Sequence, residues 1–176
     1  MTRLVAVVGP SGAGKDTLMA MAGRACPDIR TARRVITRPT EAGGEDFDGV
    51  TEAEFARRLD QGDFALHWRA HGLGYGIPSD QLSGSGTVLL NLSRAVLAQA
   101  MARYPSLVVV LVTAPAPILA ARLAARGRED ARDQASRLER ASFGLPAALP
   151  FREVVNDGTA EEGLARFLQA LQPVGV

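Results

Sequence analysis

The sequence of 176 residues has one cysteine, one lysine and two histidines, and each scarcity excludes something. Cys26 has no partner within the chain, so an intrachain disulfide is excluded and we expect a reducing compartment, the cytoplasm. His67 and His71 are too few and too loosely placed for a metal site built on histidine. Ordinary surface or strand roles are therefore expected for both histidines.

Long apolar runs and an excess of one charge are also missing. No run reaches the roughly 18 residues that a membrane span needs, so we expect no membrane span. A formal net charge of +1 provides no field that would attract nucleic acid or an anionic membrane. An apolar run already begins at Leu4, so we expect no signal peptide.

The order of apolar segments predicts an α/β fold in one domain of 176 residues. Strand-like runs at 4–8, 31–37, 64–68, 87–92, 107–112 and 151–155 alternate with helical patterns, which is typical of a parallel sheet covered by helices. We expect a core from residues 1–37 and 79–176, a small inserted lobe at about 38–78 and a lid at about 126–136.

What is present is a strand, a glycine-rich turn and a helix at the start of the chain. Gly9, Gly14 and Lys15 match the P-loop pattern G-x-x-x-x-G-K, which lies between a buried strand and a helix. Glycines let the backbone approach a ligand, and the helix N-terminus adds a partial positive charge. The pattern predicts a nucleoside triphosphate held by Gly9, Pro10, Ser11, Gly12, Ala13, Gly14, Lys15, Asp16 and Thr17.

Two features of this turn are unusual. Lys15 is the only lysine in a chain whose other cations are all arginine, which suggests that arginine cannot replace it at the β- and γ-phosphates. Asp16 stands where the pattern has Ser or Thr to offer a hydroxyl to magnesium. Either Thr17, or Asp16 through a water molecule, would then help to hold Mg²⁺.

Arginines form two groups outside the P-loop, one in the inserted segment and one around the expected lid. Arginine forks match phosphate oxygens with two parallel hydrogen bonds, so two groups suggest a donor and an acceptor phosphate brought together. The alternative for any single arginine is a solvated helix face in an arginine-rich chain. The candidates are Arg34, Arg38 and Arg69 in the insert, and Arg126, Arg128 and Arg137 around the lid.

No general base is evident in the sequence, and no His–Asp pair stands out. A kinase that acts on a hydroxyl benefits from a carboxylate that accepts the proton, whereas an acceptor phosphate is already ionised at pH 7. The arginines together with the missing base therefore favour a phosphate as acceptor. Tyr75 either hydrogen-bonds the substrate or has a structural role in a hairpin.

The chain resembles the guanylate kinase family along nearly its whole length. The matching motifs, in order, are Gly9 to Lys15, Ile36-Thr37-Arg38-Pro39, Gly44-Glu45 with Gly49, Gly74-Tyr75-Gly76, Arg122-Leu123 with Arg126-Gly127-Arg128, Arg137-Leu138 and Val155-Asn156-Asp157. The resemblance implies a guanylate-kinase-like P-loop NTPase fold, ATP as co-substrate and Mg²⁺. It places Asn156 near the adenine.

Three departures separate the chain from enzymes that bind guanine monophosphate. Glu41 replaces the second arginine of the family, Gly49 is not followed by the usual Tyr-x-Phe, and Asn91 replaces an aspartate on the fourth strand. The chain is more similar to a branch of the family that acts on a sugar bisphosphate. The shared segments are Gly9 to Asp16, Arg34-x-Ile36-Thr37-Arg38, Trp68-x-Ala70-x-Gly72-Leu73-x-Tyr75-Gly76, Asn91-x-Ser93-Arg94-Ala95 and Arg126-Gly127-Arg128-Glu129.

This second resemblance implies transfer of the ATP γ-phosphoryl group to ribose 1,5-bisphosphate, giving 5-phosphoribosyl 1-diphosphate (PRPP) in phosphonate degradation. Arg34, Arg38, Tyr75 and Arg69 would then position the acceptor, and Arg126, Arg128 and Arg137 would close over the transferring group. Two alternatives remain: guanylate kinase or another nucleoside monophosphate kinase, and an interaction module of the same fold that no longer does chemistry.

Overall fold

A parallel sheet lies at the centre of the structure, a computed structural model that describes residues 2–42, 45–126, 145 and 149–173. The strands in chain order are β1 (Thr2–Val8), β2 (Ile29–Thr31), β3 (Arg34–Ile36), β4 (Phe47–Gly49), β5 (Phe64–Ala70), β6 (Leu73–Pro78), β7 (Gly86–Asn91), β8 (Val108–Thr113) and β9 (Arg152–Val155). The helices are α1 (Lys15–Ala25), α2 (Glu52–Asp60), α3 (Leu97–Arg103), α4 (Ala116–Arg126) and α5 (Ala160–Leu171).

The central sheet has the strand order β2-β7-β1-β8-β9, and every neighbouring pair is parallel. Val7 on β1 lies beside Asn91 on β7 and beside Val110 on β8. The carboxyl ends of these strands therefore meet at one edge, which is where open α/β sheets bind their ligands. The predicted parallel, helix-covered sheet is confirmed.

Alternate residues of β1 enter two different cores, because successive side chains of a strand point to opposite faces. Val5 and Val7 pack with α1 and α5, whereas Ala6 and Val8 pack with α3. Leu66 of the β5–β6 hairpin joins the α3 core, so the inserted segment packs directly against the central sheet. All four of these β1 residues are 0% exposed, as a strand covered on both faces requires.

A second sheet has the order β4-β3-β6-β5 and contains the inserted segment. β5 and β6 form the predicted antiparallel hairpin, with His71 in a left-handed conformation (φ 53°) at its turn. α2 covers one face of this sheet, where Phe55 stacks on Phe64 with ring centroids 4.9 Å apart and Val35 completes a small core. The division into a core and an acceptor lobe remains a prediction, and the second sheet begins at Arg34.

Two local expectations were wrong. The predicted strand 31–37 is two strands in different sheets, because β2 pairs with β7 while β3 pairs with β4 and β6. The glycines and acidic residues of the segment 40–50 predict a loop, but the segment contains β4, which the buried side chain of Phe47 anchors. Three-residue strands carry too little periodicity for either feature to be visible in the sequence.

The helix caps agree in part with expectation. The sequence Thr51-Glu52-Ala53-Glu54 predicts a capping box. The Thr51 hydroxyl accepts a hydrogen bond from the Glu54 N–H as this predicts, but the Glu54 carboxylate pairs with Arg57. A complete capping box occurs instead at Thr159 and Glu162, at the start of α5. Among the residues described, no helix is both long enough and apolar enough to cross a bilayer.

Candidate active site

The turn between β1 and α1 has the backbone that the P-loop pattern predicts. Gly9, Gly12 and Gly14 have φ values of 151°, 85° and 89°, a region that residues with a side chain rarely adopt. A Cβ on Gly9 would lie 2.0 Å from the Val112 carbonyl oxygen on β8. Glycine is therefore required at Gly9 both by conformation and by the close approach of β8.

Gly14 ends the turn and caps α1 without any side-chain hydrogen bond. The first N–H groups of a helix have no hydrogen-bond acceptor within the helix. Gly14 has no side chain that could accept a hydrogen bond from them. These N–H groups and the helix dipole favour an anion at the start of α1. The geometry thus provides, directly at Lys15, a helix N-terminus that favours an anion.

Lys15 bends back across the turn. Its Nζ donates hydrogen bonds to the carbonyl oxygens of Gly9 at 2.8 Å and Pro10 at 3.1 Å. The ammonium group therefore lies against the beginning of the loop, although the residue itself lies at the end. A compact ammonium on a flexible stem can make these contacts, whereas a planar guanidinium is larger and its donors are fixed in a fork.

Two side chains from the other end of the chain hold the loop in place. Asn156, which follows β9 and is buried, donates from Nδ2 to the Ala13 carbonyl at 2.8 Å. Arg122 on α4 donates to the Gly12 carbonyl at 3.2 Å and to the Asn156 carbonyl at 2.9 Å. The sequence placed Asn156 near the adenine and Arg122 with the lid arginines, so these contacts were not foreseen.

Asp16 lies against the end of the neighbouring strand. The Asn91 side chain, which is buried at the end of β7, donates from Nδ2 to Asp16 Oδ1 at 2.6 Å. Thr17 is exposed, and it points about 100° away from Asp16 around the helix axis. The two candidate magnesium ligands therefore do not face the same point, and only Asp16 lies beside the strand ends.

The insert meets the central sheet at Arg34. Its Nη1 donates to the Asn91 carbonyl at 3.0 Å and its Nε donates to Glu45 Oε2 at 2.8 Å, with a second ion-pair contact from Nη2 to Glu45. Its guanidinium carbon lies 5.2 Å from the ring centroid of Tyr75. Tyr75 stacks on Trp68, with centroids 5.3 Å apart and ring planes 6° apart.

The structure brings Arg34 and Tyr75 together but separates them from Arg69. Arg69 follows Trp68 on β5, so its side chain leaves the opposite face of the sheet. There it makes two hydrogen bonds to Glu52, at 2.8 and 3.2 Å, and more than half of its side chain is exposed. The pKa of the Glu52 carboxyl is lowered, chiefly by the hydrogen bond from Arg69.

Arg38 follows β3 and is half-buried, with its guanidinium carbon 4.3 Å from the centroid of Phe47. Burial lowers the pKa of Arg94, which begins the turn after β7.

The predicted lid lies outside the described residues: Arg128 and Arg137 are not among them, and α4 ends at Arg126, of whose side chain nothing is described.

No family model matches the chain, but curated relatives match it over nearly its full length. The ribose 1,5-bisphosphate phosphokinase PhnN of Ruegeria sp. strain TM1040 is 50% identical over 173 residues, which are 96% of this chain and 91% of that protein. The protein of the same name from Brucella melitensis biotype 2 is 50% identical over 178 residues, 98% and 93% of the two chains.

A third relative is longer. The bifunctional ribose 1,5-bisphosphokinase-thymidine phosphorylase of Cupriavidus necator is 51% identical over 170 residues, which are 94% of this chain and only 28% of that protein. This chain therefore corresponds to one part of the bifunctional protein.

Solved structures give the fold. A guanylate kinase from Anaplasma phagocytophilum superposes with a TM-score of 0.61 at 21% identity and covers 97% of this chain and 87% of its own. A gluconokinase from Sinorhizobium meliloti 1021 gives a TM-score of 0.51 at 16% identity and covers 95% and 92% of the two chains. Together with the loop at residues 9–15, these neighbours define a P-loop protein of the guanylate-kinase-like class. Within that class, the chain belongs to the ribose 1,5-bisphosphate phosphokinase family, and the predicted resemblance and fold class are confirmed.

Proposed function

We propose that this chain transfers the γ-phosphoryl group of ATP to the 1-phosphate of ribose 1,5-bisphosphate and so forms PRPP, as a step of phosphonate degradation. The observation that carries this proposal is 50% identity over 96% of the chain to a relative named for this activity. An intact P-loop supports it, because Gly9, Gly14 and Lys15 are all present in the required conformation. A cytoplasmic location rests on the lone Cys26 and remains a prediction.

The donor side is the part that the described residues support best. Residues 9–17 would hold the ATP phosphates through backbone N–H groups of the turn and of the first turn of α1. Lys15 Nζ would exchange its contacts with the Gly9 and Pro10 carbonyls for oxygens of the β- and γ-phosphates. Asn156 and Arg122 would keep the loop open by holding its carbonyl groups away from the phosphates.

The side chains present fit a magnesium ion of the kind that kinases use. Mg²⁺ is usually held by one or two carboxylates together with substrate phosphates and water, not by an all-protein cage. Asp16 supplies one carboxylate beside the strand ends, and the described residues contain no group of three or more His, Cys, Asp or Glu that would hold a metal alone. Asp16 would hold the ion, which would neutralise charge on the transferring phosphoryl group.

The acceptor would lie on the insert side, between Arg38 and the stack of Arg34, Tyr75 and Trp68. Arg34 donates three of its five N–H groups to Glu45 and Asn91. Its remaining N–H groups would orient the acceptor. Arg38, whose guanidinium covers Phe47, would bind a phosphate of the acceptor. Arg69 would contribute only by exchanging Glu52 for the acceptor.

The lid assignment is a proposal from the sequence. Arg126, Arg128 and Arg137 would close over the transferring group and neutralise its charge. Closure would also keep water from acting as the acceptor, which would waste ATP.

The experiment is a coupled ADP-release assay with ribose 1,5-bisphosphate and, separately, with GMP. We expect turnover with ribose 1,5-bisphosphate and a much lower rate with GMP, with PRPP identified by mass spectrometry. Protein carrying Lys15→Met, purified in the same way, reports any contaminating kinase. Preference for GMP would instead support a nucleoside monophosphate kinase, and nucleotide binding without turnover of either acceptor would support an interaction module.

A further inference from the structure

The contact between Asp16 and Asn91 joins the residue after the P-loop lysine to the end of the neighbouring strand β7. In P-loop NTPases the ion is held by a Ser or Thr that follows the P-loop lysine and by a separate aspartate. In this chain the residue after Lys15 is the acid, and the residue that faces it from the end of the adjacent strand β7 is a neutral amide. The acid therefore stands where the P-loop pattern has a hydroxyl, and an amide from the neighbouring strand holds it.

We infer that Asp16 provides the magnesium-binding carboxylate and that Asn91 is a positioning residue that fixes its orientation. This inference rests on the proposed use of ATP with Mg²⁺ and assigns the part that each residue has in it. Asn91 uses its Nδ2 to hold Asp16 Oδ1 at 2.6 Å. This contact uses only Oδ1, and Oδ2 of the same carboxylate would hold the ion.

An amide is the group that suits position 91. A carboxylate there would place two negative charges within hydrogen-bond distance of each other, which costs free energy until a cation arrives. The Asn91 amide donates a hydrogen bond instead, and its own burial keeps it in one orientation. Partners that orient a metal ligand typically change metal affinity by about 10–100-fold when they are removed.

Asn91 also connects the two halves of the site. Its side chain holds Asp16 on the donor side, while its main-chain carbonyl accepts the hydrogen bond from Arg34 on the acceptor side. Substitution of the side chain leaves the main-chain contact possible. A variant at position 91 therefore tests the donor side without deleting the contact with the acceptor side.

The test measures binding of a non-hydrolysable ATP analogue by isothermal titration, once with Mg²⁺ and once with EDTA. The dissociation constant with EDTA divided by that with Mg²⁺ reports the metal-dependent part of binding. No acceptor is present in either titration. Asp16→Ser should reduce this ratio by about tenfold or more, and Asn91→Ala should do the same by about tenfold while Asp16 is intact. Gln81→Ala, which removes one hydrogen bond to the Arg33 N–H at the surface, is the control and should leave the ratio unchanged.

The decisive variant combines both changes. Asp16→Ser with Asn91→Asp puts a hydroxyl after the P-loop lysine and moves the carboxylate to the contacting position on β7, and it should return the ratio to within about threefold of the unsubstituted chain. Asn91→Asp alone should lower the Tm of the metal-free protein, because two carboxylates then face each other, and the double variant should recover that loss.

Several outcomes would overturn the inference. If Asn91→Ala lowers Tm but leaves the ratio unchanged, Asn91 has only a structural role. If the double variant is folded and no better than Asp16→Ser, the two positions do not share the ion; if it does not fold, the result for Asn91→Ala decides. Because no acceptor is used, failure to phosphorylate ribose 1,5-bisphosphate would refute the proposed function without changing this result.

Discussion

At the scale of single residues, the site depends on one lysine in a chain rich in arginine. Lys15 Nζ reaches the carbonyls of both Gly9 and Pro10, so the ammonium lies within the turn. A guanidinium keeps the charge but spreads it over a plane with fixed donors. We therefore expect the shape of the cation at this position to matter as well as its charge.

Lys15→Met should lower kcat/KM by about 100-fold or more, because it removes a preorganised charge at the transferring phosphates. Lys15→Arg should fall between Met and the unsubstituted protein, since it retains the charge in the wrong shape. The measurement is the ADP-release assay, with circular dichroism to confirm that each variant is folded. Near-normal turnover of the Met variant would remove the P-loop assignment.

Arg38→Ala should raise the KM for ribose 1,5-bisphosphate by about tenfold or more and leave the KM for ATP nearly unchanged, because a charge-assisted contact to the acceptor is lost. Arg58→Ala is the matched control, since Arg58 also lies over a phenylalanine, Phe64, at 5.3 Å but pairs with Asp63 at the surface. A weaker affinity for ATP alone would place Arg38 on the donor side.

At the scale of elements, the P-loop is built by neighbours that are distant in sequence. β8 approaches Gly9, α4 contributes Arg122 to the Gly12 carbonyl, and the residue after β9, Asn156, holds the Ala13 carbonyl. The residues of the turn itself supply only its backbone conformation. Its position therefore depends on the packing of β8, α4 and β9 around it.

Gly9→Ala should destabilise the protein more than Gly62→Ala does. Both glycines have positive φ, so each substitution costs about 1–2 kcal/mol in backbone strain. Only at Gly9 does the added Cβ meet backbone, the Val112 carbonyl oxygen at 2.0 Å, whereas nothing lies within 4 Å at Gly62. Urea unfolding measures the difference, and equal losses would mean that β8 moves aside freely.

Tyr75 in the stack on the β5–β6 hairpin has two roles that the sequence left open, a hydrogen bond to the substrate or a structural part in the hairpin. Substitutions of Tyr75 distinguish the two. Tyr75→Phe keeps the ring that stacks on Trp68 and underlies Arg34, and removes only the hydroxyl. If the hydroxyl binds the acceptor, its KM rises by about tenfold with no change in Tm. Unchanged kinetics for Phe, with losses of Tm for Tyr75→Leu, would assign Tyr75 to structure. We expect the first result.

At the scale of the whole molecule, Arg34 joins the second sheet to the first. Arg34 is buried, pairs with Glu45, and donates to the Asn91 carbonyl at the end of β7. A buried pair contributes little net stability, but the loss of one partner leaves the other charge buried and unpaired. This arrangement would fix the proposed acceptor side relative to the P-loop.

Glu45→Gln should lower the free energy of unfolding by about 3 kcal/mol and raise the KM of the acceptor more than that of ATP. Glu52→Gln is the control, because its partner Arg69 is exposed and such pairs contribute little. The hydrogen bond from Arg69 holds the pKa of the Glu52 carboxyl below its ordinary value of 4.5. The small stabilisation by the Glu52–Arg69 pair is therefore present above pH 4.5 and is lost as the pH falls below that value. Equal losses in both variants would show that the buried Arg34–Glu45 pair matters no more to stability than the exposed Arg69–Glu52 pair.

The sequence by itself determined the P-loop, the parallel sheet and the hairpin. Gly9, Gly14 and Lys15 form a local pattern, and apolar runs such as 4–8 mark buried strands, so neighbouring residues suffice for both. The family was also readable, because its motifs occur in order along the chain.

Only the tertiary structure decided which polar groups meet. Asn91 contacts Asp16 across 75 positions and Asn156 contacts Ala13 across 143, and both pairs form because the strand order puts β7 and β9 on either side of β1. The order of strands in the two sheets also places Arg34 beside Glu45 and Asn91. Side chains alternate between the two faces of β5, so Arg69 lies on the face opposite Trp68 and bonds Glu52. Contacts of this kind depend on the order of strands in space, which the pattern of residues along the chain does not encode locally.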